Sequence, residues 1–479
     1  MDDYQILNKG CKNICCLMHN NHYYMVDVYN CLQMEITENL YECIRKIKDK
    51  KSLDLIQKYY PKEFSFLIEA IKKGILTAEA SIDELPAEYA NISFTPVHEC
   101  NFSCRYCFAK GGNTYNDIEK DFTDEKIEKM LEFFFVEMFP DMQRYRIEFV
   151  SGGEPLLNTA AIQKTIECAE RFQSSSNKSV QTWLCTNGSL LTKDFVRFLD
   201  KHNVSIGISI DGEKNAHDAN RVYPNGQGTY DDVIKGLKTV LEDNQIGNRM
   251  KHIWGLSVIN ENNCDLIAII EHYKSIGIKS AQMKIEWKEN SNPKEAIKLY
   301  ELYALAYEKL ATFLLNQYNN NNIDYLLMII NDNDQFGKVL KKYITGTYTS
   351  RRCEAGRYKV AVCPNGDIYP CYGFIGIKDM KIGSVFENYI NWELFKNADV
   401  KNNSKCSTCE IMHLCGGDCY YNSYINTRSI NYPSDCYCYI QKKLCELGIW
   451  LLIEMRKANI ILYEQLEKEI IHCDNIRRQ

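Results

Sequence analysis

Cys100, Cys104 and Cys107 are spaced C-x3-C-x2-C. Three thiolates so placed can wrap one corner of a small cluster but cannot close it. A [4Fe–4S] cube held this way keeps one iron for an exogenous ligand. Structural zinc usually takes four protein ligands. His98 lies nearby, so a zinc site of three cysteines and one histidine is the plain alternative.

Further groups follow along the chain. Val150-Ser151-Gly152-Gly153-Glu154-Pro155 pairs two glycines with a carboxylate. Glycine lets a backbone approach a ligand closely, and a carboxylate can accept hydrogen bonds from an ammonium. Cys185-Thr186-Asn187-Gly188 and Ser209-Ile210-Asp211-Gly212 come next, then His217, Asp218 and Arg221. Arg221 offers a fork that matches a carboxylate. Asn187 and Asp211, each one residue before a glycine, also fit ordinary turn chemistry. A dense tail closes the set: Cys353, Cys363, Cys371, Cys406, Cys409, Cys415, Cys419, Cys436 and Cys438.

These groups need a scaffold, and the pattern between them supplies one. YANISFTPV, RYRIEFV, SVQTWLC, VSIGISI, HIWGLSVI and AQMKIEW read as strands. Helical stretches such as DEKIEKMLEFFFVEMF lie between them. Six β/α repeats predict an α/β fold with a parallel sheet and right-handed crossovers. The count predicts a partial (β/α)6 TIM barrel or open sheet, with functional groups at the C-terminal strand ends. The cysteine loop follows the first strand, and Gly152–Gly153–Glu154 follows the second.

We divide the chain into residues 1–85, 86–292, 293–350 and 351–479. The first unit carries β-rich HYYMVDVYNCLQMEI, then helical ENLYECIRKIKD and EFSFLIEAIKKGIL, predicting a winged-helix-like module of three strands and three helices. The second is the partial barrel. The third is a helical bridge broken at NQYNNNNIDY. The fourth is loop-rich and cysteine-dense, with hairpin character at KVAVCPNGDIYPCYGF, and ends in one amphipathic helix from about Ile440 to Ile470.

A C-x3-C-x2-C loop after the first strand of a β/α repeat resembles the radical S-adenosylmethionine (radical SAM) superfamily. The resemblance implies that Cys100, Cys104 and Cys107 hold a [4Fe–4S] cluster whose free iron chelates the methionine of S-adenosylmethionine. Reductive cleavage of that cofactor yields a 5′-deoxyadenosyl radical. It further implies that Gly152, Gly153 and Glu154 serve the methionine amino group and that Ser209 touches its ribose or carboxylate. Asn187 and Arg221 join this cofactor-binding set. Val258 and Asn260 are placed to flank the adenine.

The tail is similar to the SPASM extension of that family. Twelve residues separate Cys353 from Gly366, four separate Gly366 from Cys371, and Cys406-x2-Cys409-x5-Cys415-x3-Cys419 follows. The resemblance implies a C-terminal cysteine-rich iron–sulfur SPASM domain with two auxiliary [4Fe–4S] clusters, three in all. Cys353, Cys371 and Cys419 fall to the first, with Cys363 as a candidate fourth ligand. Cys406, Cys409, Cys415 and either Cys436 or Cys438 fall to the second, with Cys438 favoured. A pair of zinc sites is the alternative, since zinc accepts the same thiolates.

SPASM proteins mostly modify peptides, and the whole arrangement resembles thioether-forming maturases of the sactipeptide and ranthipeptide kind. Residues 1–85, ending in Lys73-Gly74-Ile75-Leu76, would then bind the leader of a precursor peptide as an added strand. An electron donor such as a flavodoxin or ferredoxin would be a second partner. Carbon–carbon or carbon–oxygen cross-linking, and formylglycine formation in a sulfatase, are the alternatives. Sulfatase-maturing relatives carry an Asp after the hairpin cysteine; here Cys371 precedes Tyr372.

Composition agrees with an enzyme of this kind. The 22 cysteines among 479 residues fall well short of the roughly 8–10% of a small disulfide scaffold. The start, MDDYQILNKG, shows no signal-peptide pattern, and no apolar run is long enough to span a bilayer. We therefore expect a cytoplasmic chain, without membrane association, in which clustered cysteines bind metal. The 57 Lys and Arg against 63 Asp and Glu argue against nucleic-acid binding. Cys11, Cys15, Cys16, Cys168, Cys185 and Cys264 are expected as free thiols.

Overall fold

The computed structural model describes residues 3–76, 87–111, 122–150, 152–241, 253–289 and 292–478. Its chain opens with helix Asp3–Gly10, then an antiparallel meander of β1 (Ile14–His19), β2 (His22–Asp27) and β3 (Leu32–Ile36). Helices Glu38–Lys48, Leu53–Tyr59 and Pro61–Lys72 follow. Thr37 caps the first of them, its hydroxyl accepting from the Leu40 amide. The outer edges of β1 and β3 pair with no strand among the described residues. Cys11, Cys16 and Cys43 are buried in this unit's apolar core, so they behave as small hydrophobes.

All six expected barrel strands are present: β4 (Ala90–Phe94), β5 (Arg144–Phe149), β6 (Ser179–Thr186), β7 (Ser205–Ser209), β8 (Ile253–Ile259) and β9 (Ala281–Ile285). They pair parallel in chain order. The sheet does not close, because the free side of β4 is taken by β10 (Lys359–Val362). β10 turns back into β11 (Asp367–Tyr369), followed by β12 (Gly383–Ser384) and β13 (Tyr389–Ile390), all antiparallel. The tail hairpin is therefore an extension of the barrel sheet, ten strands in all. A polar group fixes the junction. Asn91 of β4 donates to Glu148 Oε1 at 2.7 Å, and Lys359 of β10 reaches Glu148 Oε2 at 3.2 Å. Burial pushes the Glu148 carboxyl up, but Lys359 and Arg146 outweigh it and hold the group below its ordinary range.

Helices Pro293–Asn319, Asp324–Ile329 and Gly337–Thr345 follow the barrel strands. The final amphipathic run is two helices, Asp435–Ala458 and Ile460–Arg478, and not one. Asn459 breaks it with φ −157° and ψ 93°. Its side chain accepts from the Leu462 amide at 3.1 Å, and its carbonyl accepts the Tyr318 hydroxyl. The first of these helices also begins earlier than the periodicity suggests, so Cys436 and Cys438 lie in its opening turn. No helix among the described residues is long and apolar enough to cross a membrane.

Candidate active site

The loop carrying Cys100, Cys104 and Cys107 leaves β4 at the C-terminal end of the barrel. Backbone bonds pin it to the segment after β7: Ser103 N–H donates to Val222 O at 2.7 Å and Arg105 N–H to Asn220 O at 2.9 Å. Within the loop, Phe102 N–H donates to Cys100 Sγ and Gly111 N–H to Cys107 Sγ, each at 3.4 Å. Burial, foremost, pushes the Cys100 thiol up to about 11 and Cys104 up to about 12. Such thiols keep their protons until a metal displaces them, which couples loading to proton release.

Gly153 abuts this loop. A Cβ there would stand 2.5 Å from Glu99 O and 2.6 Å from Val97 O. Glu154 N–H donates to Glu99 O at 2.8 Å. Buried Gly152 precedes this pair, and residue 151 lies outside the described residues. The Glu154 carboxylate is buried and turned toward the protein. It accepts from the Leu156 amide at 3.0 Å, the Thr186 hydroxyl at 2.6 Å and the Asn187 amide at 2.7 Å. Asn187 continues the chain of contacts, donating to Asn101 Oδ1 at 2.8 Å while its own oxygen takes the Ser189 amide at 3.0 Å. It therefore makes the turn contact expected of an Asn before Gly and braces the cysteine loop as well.

Arg221 pairs with the protein's own Asp211, Nη2 to Oδ1 and Nε to Oδ2, both at 3.1 Å. Tyr106, inside the cysteine loop, donates to Asp211 Oδ2 at 2.6 Å, and the Val258 amide donates to Oδ1 at 3.0 Å. Asp211 thus gathers the loop, the segment after β7 and the end of β8. Asn260 exchanges amide bonds with Asn220 at 3.0 and 3.3 Å. Ser209 is half-buried at the end of β7. Tyr106 and Asp211 as a pair escape sequence reasoning; the position of Tyr106 between two of the cysteines is the only signal.

The tail cysteines divide into two neighbourhoods. Cys419 is affected electrostatically by Cys371 and Cys353, and Cys371 by Cys353. Cys363 is fully buried in an apolar cluster with Ala361, Tyr369 and Phe374, against which Cys371 also packs; burial and Asp367 push its thiol up. Cys406, Cys409, Cys415 and Cys438 line one cavity of about 200 Å³; Cys436 does not. Among the described residues no three His, Cys, Asp or Glu stand close enough to share a single metal ion. A cluster spreads its ligands over several irons, so four thiols around one cavity can hold one without all meeting at a single metal ion. The four-cysteine cavity fits such a group.

An aromatic wall joins the first cysteine loop to the tail. Phe108, next to Cys107, lies 5.4 Å from Trp287, 6.0 Å from Tyr372 and 6.0 Å from Tyr421 between ring centroids. Trp287 lies 5.0 Å from Tyr421. Tyr372 follows Cys371 and Tyr421 lies two residues after Cys419, so these half-buried rings run from the first cysteine loop to the tail cysteines.

Residues 94–272 match the Radical SAM superfamily. The chain is 25% identical over 340 residues to a cysteine-type anaerobic sulfatase-maturating enzyme of Clostridium novyi, covering 68% of this chain and 86% of that one. It is 24% identical over 391 residues to the radical SAM cyclopropyl synthase TigE of Paramaledivibacter caminithermalis, covering 78% of this chain and 75% of that one. The solved structure of native anSMEcpe with bound AdoMet shares the fold at a TM-score of 0.60 and 21% identity, over 78% of this chain and 99% of that one.

Proposed function

We infer, for an enzyme chain that carries a radical SAM domain across residues 94–272, that it installs thioether links in a ribosomally made precursor peptide, joining a cysteine sulfur to a carbon. Cys100, Cys104 and Cys107 would hold the [4Fe–4S] cluster; with S-adenosylmethionine it supplies a 5′-deoxyadenosyl radical. Gly153 keeps the strand end tight against the loop, and Asp211 fixes Tyr106 and Arg221 beneath it. Ser209 supplies a hydroxyl at the strand ends, where the cofactor would lie. The aromatic wall keeps water from the reacting carbon.

The observation that carries the thioether reading is the place of Cys363. Its thiol is pushed up by burial and by Asp367, whereas Cys419 is influenced by Cys371 and Cys353. Three thiols, and not four, are then offered to the first auxiliary cluster, leaving a position for a peptide thiolate. The four thiols of the other cavity would close the second auxiliary cluster. Residues 3–76, with open strand edges, suit capture of a leader peptide by strand addition.

Carbon–carbon bond formation is the second reading, favoured by similarity to a cyclopropyl synthase. Sulfatase maturation is disfavoured by Tyr372, whose aromatic ring packs in the wall where those relatives carry a carboxylate. The test is mass spectrometry of a short cysteine-containing peptide encoded beside this gene, after incubation with the reconstituted enzyme. The thioether reading expects loss of one hydrogen pair per link, with the thiols resistant to alkylation. The same loss with every thiol still alkylated would move the assignment to carbon–carbon or carbon–oxygen chemistry.

A further inference from the structure

We propose that Gln441 and Tyr437 donate hydrogen bonds into the four-cysteine cavity and set the reduction potential of the cluster it would hold. This rests on the reading of Cys406, Cys409, Cys415 and Cys438 as cluster ligands.

Both residues sit on helix Asp435–Ala458, whose first turn is capped by Ser434 accepting from the Tyr437 amide. Helical spacing places residues three or four apart on one face. Tyr437, Cys438, Gln441 and Lys442 accordingly all line the same cavity. Gln441 is 0% exposed and Tyr437 7% exposed. Among the described residues, neither the amide nitrogen nor the amide oxygen of Gln441 has a hydrogen-bond partner, and the Tyr437 hydroxyl has none. Buried polar groups are seldom left so, and an unmet donor in the interior is costly.

The rest of the wall narrows what could meet them. Val400, Ile411, Met412 and Pro433 are apolar. The Lys405 ammonium is occupied by the Pro433 carbonyl at 3.0 Å and by Asp435 at 2.6 Å. Thr408 and Asp418 also line it, but the Asp418 carboxylate already accepts from Asn422 at 3.0 and 2.9 Å and from the Ser434 amide at 3.3 Å, so the four sulfurs are the main acceptors left to the cavity. An iron–sulfur group there would offer sulfides and thiolates to the two orphaned donors. Hydrogen bonds to cluster sulfurs favour the reduced, more negative form and so raise the potential. Arg352 stands behind Tyr437, 5.8 Å from its ring, and adds a cation on the same side.

The test is a redox titration, followed by electron paramagnetic resonance, on the reconstituted full chain. Gln441→Met and Tyr437→Phe each remove a donor at nearly constant volume. The proposal expects unchanged iron content and a more negative midpoint potential for one cluster, further displaced in the double variant. Potentials equal to those of the unsubstituted protein in iron-replete variants would overturn it. Should Gln441→Met lose iron, Tyr437→Phe, which deletes a single oxygen, decides the matter alone. A Cys438→Ala control separates the two levels of failure. Full iron retained in that control would remove the cluster from this cavity altogether. Iron lost there, with unmoved potentials in the donor variants, would overturn only the role of Gln441 and Tyr437.

Discussion

Gly153 has no room for a side chain, and that single fact ties the second strand to the cysteine loop. Gly153→Ala must displace the Val97–Glu99 backbone. Overpacking of this kind costs about 1–3 kcal/mol, and we expect lower iron occupancy at Cys100, Cys104 and Cys107, read by metal analysis beside denaturant unfolding. Asp211→Asn would leave Arg221 as a buried cation without its counter-charge. Breaking such a pair costs about 3–5 kcal/mol, visible in thermal unfolding; an unchanged transition would show that Asp211 braces nothing. His217 sets an acid limit. Burial, then Arg221, pulls its imidazole down to about 2, and its nitrogens serve the Asp211 amide and Thr229. The unfolded imidazole titrates near 6.5, so stability is fully present above that pH and lost below it. The loss reaches about 1.4 kcal/mol by pH 5.5, and His217→Gln should flatten this acid limb in unfolding measured against pH. At this scale the loop of Cys100, Cys104 and Cys107 was legible as a C-x3-C-x2-C spacing after a strand. The partners of Glu154 and Asp211 were not, since Tyr106 and Asp211 meet across 105 positions with no local pattern between them.

The hairpin of β10 and β11 shows what elements add. Cys363, just past β10, is fully buried with its thiol pushed up by burial and Asp367, whereas Cys371, just past β11, is influenced by Cys353. Three clusters imply about twelve irons per chain. We expect Cys363→Ala to keep that content and Cys371→Ala to lose part of it; equal losses in both would return Cys363 to the ligand set. The six barrel strands were legible as alternating β-rich runs between helices, and the helices of the first module by their apolar spacing. Pairing of β10 with β4 was not legible, because parallel partners far apart in the chain leave no joint signature and a KVAV run reads equally as a free hairpin. The break at Asn459 was hidden for a different reason. The apolar period runs through it, and only Tyr318, from another helix, selects the extended backbone there.

For the whole molecule, the shared ten-stranded sheet means that the barrel and the cysteine-rich tail are one structure. A chain ending at residue 350 would bare the β4 edge that β10 now covers. Exposed edges template aggregation, so this truncation should fail to give a soluble monomer in light scattering, and a stable monomer would refute the dependence. The β3 strand of the N-terminal unit is fastened to the same body, with Gln33 donating to Tyr343 O at 2.6 Å and Glu35 paired to Lys457 at 2.5 Å. The N-terminal unit, the loop of Cys100, Cys104 and Cys107, and the tail cysteines are thereby held in one frame. The most direct measurement of the central claim follows deuterium from a precursor peptide, labelled at its acceptor carbon, into 5′-deoxyadenosine. The account predicts labelled 5′-deoxyadenosine with the intact enzyme and none when Cys100, Cys104 and Cys107 are all replaced by Ala. Turnover retained in that triple variant, or 5′-deoxyadenosine that never carries the peptide's deuterium, would contradict it.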